Sequence, residues 1–370
     1  MADLALRRVY KSFRGKSVLE NITFDVRDRE FFVIFGPSGA GKTTILNTIS
    51  GIYVPDLGEV LLNHRVVNAL EPSERNVAMV FENYALYPHW TVFENMASPL
   101  KSPKYRKSRQ EAEREVRRIA EMLRIGNLLD RKPAELSNGQ RQRVALGRAL
   151  VRNPDVFLMD EPLTHLDAKL RHLMRAELKE MQQSLHTTTV YVTHDYLEAL
   201  SLGDRIAVLN QGRIEQIGTP HDIYYRPVNE FVAESFGDPE INLLDAELTD
   251  REGRLFVRVG GCPEPFPVRE ELRRQLESAE TRRIRVGLRP GDIHYRLDPG
   301  ETGIPSSVFS FEPLGAKAIV TCRFDKDWVR VLAPAELDLR PDQPIWLDFD
   351  MDKALFFHPE NRRLVASPAA

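Results

Sequence analysis

The sequence predicts an α/β domain on a mainly parallel sheet, followed by a smaller all-β domain. Up to about Phe236, short β-branched or aromatic runs alternate with helical patterns, as where Phe31-Phe-Val-Ile-Phe35 leads into Lys42–Ser50. The run Val156-Phe-Leu-Met159 ends on Asp160-Glu161, so acidic groups stand at the end of a buried strand. After Pro239 the texture changes to short strands, at 255–259, 284–288, 308–311, 318–324, 328–332 and 345–349, separated by Pro, Gly and acidic turns.

The boundary is expected at the Gly237-Asp238-Pro239 turn, giving domains 1–237 and 238–370. Within the first, Ala112, Val116, Ile119, Ala120 and Leu123 recur at helical spacing among Glu and Arg. That pattern is a solvated amphipathic helix, part of a helical insert over about 91–150.

With 42% hydrophobic and 28% charged residues in 370, the chain can bury a sizeable core and does not have the composition of disorder. Lys and Arg number 51 against 54 Asp and Glu, net charge -3, which disfavours wholesale binding to nucleic acid. From Asp238 onward the balance is 19 basic to 24 acidic, so the β domain is no basic platform either. Cys262 and Cys322 form no CxxC pair, which suits a reducing compartment, with the cytoplasm as the default. Charges at Asp3, Arg7 and Arg8 interrupt the start of the chain before any leader-length apolar stretch. The apolar run 31–35 is far short of the ~20 residues that span a bilayer, so a membrane role is expected to be peripheral.

The strongest chemical signal is Gly36-Pro37-Ser38-Gly39-Ala40-Gly41-Lys42-Thr43, a G-x-x-x-x-G-K-[ST] loop between a predicted strand and a predicted helix. Its glycines let backbone N–H groups turn inward on phosphate oxygens, the helix points its positive end at them, and Lys42 adds a point charge. Thr43 offers a hydroxyl to Mg²⁺, and Thr44 extends the helix start. Phosphoryl transfer also needs a carboxylate on the metal and a group that orients water. Asp160 and Glu161 are the candidates for these two roles, Glu161 as general base.

Leu136-Ser137-Asn138-Gly139-Gln140-Arg-Gln-Arg143 resembles the signature motif of ATP-binding cassette ATPases, and Asp160-Glu161 and Thr193-His194-Asp195 follow in the family's order. Val80-Phe-Glu82-Asn-Tyr84 through His89, with Val286-Gly-Leu-Arg-Pro290, resembles the ATPase subunits of maltose-type and glycerol-phosphate-type importers. The resemblance covers nearly the whole chain. It implies a P-loop NTPase cassette with a helical subdomain, a C-terminal OB-like (TOBE-type) regulatory and dimerisation domain, and ATP with Mg²⁺ as ligands. It further implies a dimer at the cytoplasmic face of the membrane beneath two transmembrane permease subunits, with an extracytoplasmic solute-binding protein as an indirect partner and no nucleic acid.

By the same resemblance His194 is the switch histidine at the γ-phosphate. Phe13 stacks on adenine, with Tyr10 as the other choice, and Asp167 belongs to a loop between the two nucleotide sites. Ser137, Gly139 and Gln140 complete the ATP held by a second subunit, for a helix start with no partner of its own is an anion cradle. The aromatic segment 84–89 is either a groove for a permease helix or packing between subdomains.

Four positions depart from the family pattern. Glu82 stands for the usual Gln of the loop facing the permease and reaches Mg²⁺ through an oxygen. Asn138 replaces a signature Gly, while His165 and Tyr196 replace Asn and Gln. Two readings follow for the dimer: a pair of identical chains, or a pair with a paralogous ATPase whose site compensates. The expected function is ATP hydrolysis that powers import of a sugar, polyol or glycerol phosphate; the alternative is a non-hydrolysing or weakly hydrolysing regulatory subunit.

Overall fold

The computed structural model describes residues 3–299 and 303–368, and the chain divides into two compact units, Met1–Pro220 and His221–Ala370. In the first unit β1 (Leu4–Phe13) and β2 (Lys16–Val26) form a hairpin closed by Arg14-Gly15, both at positive φ, as a two-residue hairpin turn requires. β3 is Phe31–Phe35 and α1 Lys42–Ser50, followed by β4 (Leu57–Leu62), β5 (Arg65–Val66) and β6 (Val77–Val80). Three helices come next, α2 (Val92–Ala97), α3 (Arg109–Met122) and α4 (Asn138–Leu150), then β7 (Val156–Asp160), α5 (Ala168–Leu185) and β8 (Thr188–Thr193). α6 (Tyr196–Leu202), β9 (Arg205–Asn210) and β10 (Arg213–Gly218) complete it.

The central sheet runs β10-β9-β3-β8-β7-β6, parallel throughout except for the β9–β10 hairpin. Every residue of β3, β7 and β8 is buried, as expected for parallel strands covered on both faces. A second, antiparallel sheet, β2-β1-β4-β5, was not separated from the parallel one by sequence reading. Its strands alternate exposed and buried residues, and their inner face (Leu4, Leu6, Val9, Ile22, Phe24) joins the core of β3 and α1.

The amphipathic pattern of the insert is α3, started by a capping box in which Ser108 accepts from Glu111 N and Glu111 accepts from Ser108 N. It packs Val116, Ile119 and Ala120 toward α2 and α4.

The segment from β6 into α2 is organised by one side chain. Fully buried Asn95 accepts from Tyr87 N (2.8 Å) and donates to the carbonyls of Tyr87, Trp90 and Thr91. Arg148 adds bonds to the carbonyls of Tyr84 and Ala85, both at positive φ. Tyr84, read from sequence within an exposed aromatic stretch, is buried, while Tyr87 and Trp90 remain exposed with ring centroids 4.4 Å apart.

The second unit begins with α7 (Pro220–Tyr225) and α8 (Glu230–Ser235). Two antiparallel sheets follow. One is β13-β12-β11-β14-β20-β21, made of β11 (Asn242–Arg251), β12 (Arg254–Val259), β13 (Phe266–Pro267), β14 (Arg283–Leu288), β20 (Leu355–Phe357) and β21 (Leu364–Ala366). The other is β15-β19-β16-β17-β18, made of β15 (Ile293–Arg296), β16 (Ile304–Leu314), β17 (Lys317–Phe324), β18 (Asp327–Pro334) and β19 (Pro344–Phe349). A single longer helix, α9 (Glu270–Glu277), buries Leu272 and Leu276 against their shared core.

The division at Pro220 precedes the turn at Gly237 because α7 and α8 are bonded to the β strands. Buried Arg289 donates to the carbonyls of Phe236 (2.7 Å) and Tyr224 (2.5 Å), and Arg285 pairs with buried Glu230 at 2.6 Å. Cys262 and Cys322 are unpaired, and burial pushes both thiols up to about 12. Among the described residues no helix is long and apolar enough to cross a membrane.

Replacing Asn95 by Ala takes the side-chain partner from Tyr87 N and from the Trp90 carbonyl, and removes one of two donors from the carbonyls of Tyr87 and Thr91. The variant is expected to lose about 2–4 kcal/mol in chemical denaturation and to gain proteolytic sensitivity between β6 and α2.

Candidate functional site

Three parallel strand ends converge on one site. β3 delivers the glycine loop, β7 delivers Asp160 and Glu161, and β8 delivers His194. Gly36 lies so close to β9 that a Cβ would sit 2.3 Å from Leu209 O, so no side chain fits there. Gly39 is different: its φ is +80°, the left-handed region that favours glycine, and a Cβ there would meet open space. Gly41 caps α1 at φ +107°, against Leu19 and Val18. The loop from Gly36 through Pro37, Ser38, Gly39 and Ala40 to Lys42, Thr43 and Thr44 therefore has the shape of an anion cradle.

Lys42 is only 5% exposed. Its Nζ donates to Gly36 O at 2.9 Å and Pro37 O at 3.0 Å and pairs with Glu161 Oε1 at 3.2 Å. Glu161 adopts φ +44°, unusual for a residue with a Cβ, and its N–H is held by Val192 O at 3.0 Å. Its second oxygen, Oε2, lies 2.6 Å from His194 Nδ1. Burial pushes the Glu161 carboxyl up, but the Lys42 ammonium and His194 outweigh it and hold it below the ordinary value. A carboxylate only accepts, so His194 Nδ1 carries the hydrogen and Nε2 faces away from Glu161.

Thr43 Oγ1 donates to Asp160 Oδ1 at 3.1 Å. Asp160 is 6% exposed, and its carboxyl is raised to about 6, first by burial and then by Glu161 and Glu82, against the Thr43 bond and Lys42. A divalent cation suits this pair, because Asp160 stands near two other carboxylates and is bonded to a hydroxyl rather than to a cation. Among the described residues no group of three His, Cys, Asp or Glu could hold a metal alone. One hydroxyl and one carboxylate fit Mg²⁺ that takes its remaining ligands from phosphate and water.

Glu82 is exposed and pairs with His165, Oε1 to Nε2 3.6 Å, rather than with Thr43 or Asp160. Ser137, Gly139 and Gln140 form a separate cluster. Ser137 Oγ accepts from Gln140 N, Gln140 Oε1 accepts from Ser137 N at 2.9 Å, and a Cβ on Gly139 would meet Leu170 of α5 at 2.8 Å. Asn138 donates to His165 O at 3.4 Å and accepts from Arg141 at 2.6 Å. Among the described residues no hydrogen bond or ion pair joins Ser137, Gly139 or Gln140 to the glycine loop. Asp167 caps α5 by accepting from Leu170 N.

Phe13 is 37% exposed at the end of β1, with the Tyr53 ring inclined at 68° and its centroid 5.0 Å away, and the Lys11 ammonium 5.4 Å from its ring centre. Tyr10 is also exposed. Sequence reading missed Tyr53 and the buried network behind His194, where Glu198 accepts from Tyr191 OH (2.8 Å) and Thr193 Oγ1 (2.6 Å) while Arg171 pairs with Asp195. Two hydroxyls on a fully buried strand were the available signal, because each needs a polar partner.

The raised Asp160 carboxyl has a sign. Without metal, the folded chain binds its proton more tightly than the unfolded chain, so this group lowers stability as pH rises from about 4 to 6. Asp160→Asn is expected to raise stability at pH 8, with nucleotide and Mg²⁺ removed, by on the order of 1–2 kcal/mol. The gain should vanish below about pH 4 in the same thermal melts.

Residues 19–164 match the family model for ABC transporters and 286–357 that for the TOBE domain. An sn-glycerol-3-phosphate import ATP-binding protein UgpC of Cereibacter sphaeroides is 48% identical over 318 residues, covering 86% of each chain. The trehalose/maltose import ATP-binding protein MalK of Thermococcus litoralis is 43% identical over 370 residues, covering 96% of this chain and 98% of that one. Among solved structures, a dimeric post-hydrolysis form of the ATP-binding cassette MJ0796 bound to ADP and Pi aligns at TM-score 0.54 and 33% identity, over 59% of this chain and 98% of that one. With this identity across most of its length, and with the phosphate loop, carboxylates and histidine gathered at one sheet edge, the chain belongs to the ATP-binding cassette family of transporter ATPases.

Proposed function

We propose that this chain is the ATP-hydrolysing subunit of an importer for a sugar, polyol or glycerol phosphate, working on the cytoplasmic face of the membrane under two permease subunits. The names of the UgpC and MalK relatives support this solute class. An extracytoplasmic binding protein presents the solute, and the second cassette is another copy or a paralogous ATPase. The observation that carries the catalytic part is the chain of contacts Lys42–Glu161–His194 at the edge of the glycine cradle.

Backbone N–H groups of 36–41 receive the phosphates, and Phe13 stacks on the base. Lys42 exchanges Glu161 and the two loop carbonyls for phosphate oxygens. Glu161, relieved of that ammonium, becomes a stronger base and takes the proton of the attacking water. His194, its Nδ1 fixed on Glu161, presents Nε2 to the γ-phosphate. Thr43 and Asp160 would hold Mg²⁺, with Glu82 reaching it once released from His165, and the ion would neutralise charge on the phosphates. Ser137, Gly139 and Gln140 close over the nucleotide of the opposing cassette, so loss of the γ-phosphate loosens the pair.

Glu161→Gln is expected to lower ATP turnover by about 10²–10⁴-fold and to leave an ATP-bound dimer on size exclusion with Mg²⁺. Normal turnover in that variant removes Glu161 from the role of base. Phe13→Ala is expected to weaken ATP binding by about 1–3 kcal/mol in calorimetry, with Tyr10→Ala near neutral. The reverse order assigns the stack to Tyr10.

A further inference from the structure

The second unit contains a cavity that the ATPase reaction does not use. It has a volume of about 540 Å³ and is walled by α7, the end of β14 and the turn before β20. That is the size of a site for a small organic molecule. One wall is aromatic. Tyr224 and Tyr225 meet edge to face with centroids 4.9 Å apart, the His221 ring lies 4.7 Å from that of Tyr225, and Tyr225 as a residue is 52% exposed. Another part of the wall is charged, with Asp292, Asp352 and Lys353.

The charges on that wall are already matched. Lys353 Nζ pairs with Asp292 and with Asp350, each at 3.1 Å, and Asp352 pairs with Arg269. Arg289, at the base, is 9% exposed. Its guanidinium lies 3.6 Å from the Tyr224 ring centre and donates to two backbone carbonyls. The lining thus carries two carboxylates, Asp292 and Asp352, against two cations, Lys353 and Arg289, each already bonded, and offers no net charge to a phosphate, a carboxylate or a cation. A neutral molecule rich in hydroxyls needs none. Its C–H face covers the free ring of Tyr225, and its hydroxyls donate to Asp292 and Asp352 while accepting from Lys353.

We propose that this cavity is a ligand site for a neutral polyhydroxylated molecule, a sugar or sugar alcohol of one or two rings' size, distinct from the nucleotide site. The assignment stands on the cavity and its lining and does not depend on the transported solute.

The test is calorimetry on the full chain with maltose, trehalose and sorbitol as probes and sn-glycerol 3-phosphate as the charged comparison. A Kd of about 1 mM or tighter is expected for at least one neutral probe. Tyr225→Ala should weaken it at least about tenfold and Asp352→Asn should weaken it measurably, while Tyr225→Phe retains it. ATP binding in the variants serves as the check on folding and should be unchanged. Absence of binding by all three neutral probes overturns the proposal, as does binding that survives Tyr225→Ala or binding of the phosphate ester alone. Failure of Glu161→Gln to lower turnover would leave this site untouched, so the two readings fail separately.

Discussion

A buried ammonium governs the catalytic edge of the molecule. Lys42 is removed from water almost completely, and a charge in that position persists only with close partners. The glycine loop supplies two carbonyls and β7 supplies a carboxylate, so the loop, β7 and, through Glu161, the end of β8 are drawn into one geometry. In the proposed cycle a triphosphate replaces those partners. The arrangement seen here keeps Lys42 satisfied and Glu161 ionised yet neutralised, and under that proposal the base strengthens when phosphate takes the ammonium away. The helix dipole of α1 and the positive φ of Glu161 set this edge before any ligand arrives.

Much of this edge was legible because its residues are constrained by chemistry that leaves a local mark. A glycine loop between a strand and a helix, and an acidic pair after an apolar run, each have few other uses. The structure joins them where the motif reading expected. The β strands of the second unit were readable from alternation and turns, and the apolar spacing from Ala112 to Leu123 marked α3. What stayed hidden depended on contacts between distant segments. The antiparallel sheet at the start follows from where β1 and β4 meet; the alternation of its strands marks a half-exposed sheet but does not name the partner strand. Arg289 reaching back to Phe236 and Tyr224 moved the division between units, and no sequence pattern announces a guanidinium bonded to two backbone carbonyls.

Three of the four departures from the family pattern meet in space. Glu82, Asn138 and His165 come from the loop after β6, the start of α4 and the loop before α5, yet Glu82 pairs with His165 and Asn138 bonds its carbonyl. Each unusual side chain is thus accommodated within its own chain. Asn138 turns toward His165 and Arg141, leaving Ser137 and Gln140 to close their capping box undisturbed. Tyr84 lies edge-on to the same histidine, so the cluster ties the aromatic segment to the signature helix.

The single amide of Asn95 has a kinetic corollary. By closing three carbonyls and one N–H beneath Tyr87 and Trp90, it freezes a loop that would otherwise sample many shapes. In the proposed assembly, a permease helix docking on those two rings would meet a surface whose ordering entropy was spent during folding. Its association would then be limited by encounter rather than rearrangement, and differences in grip would fall on how long it stays.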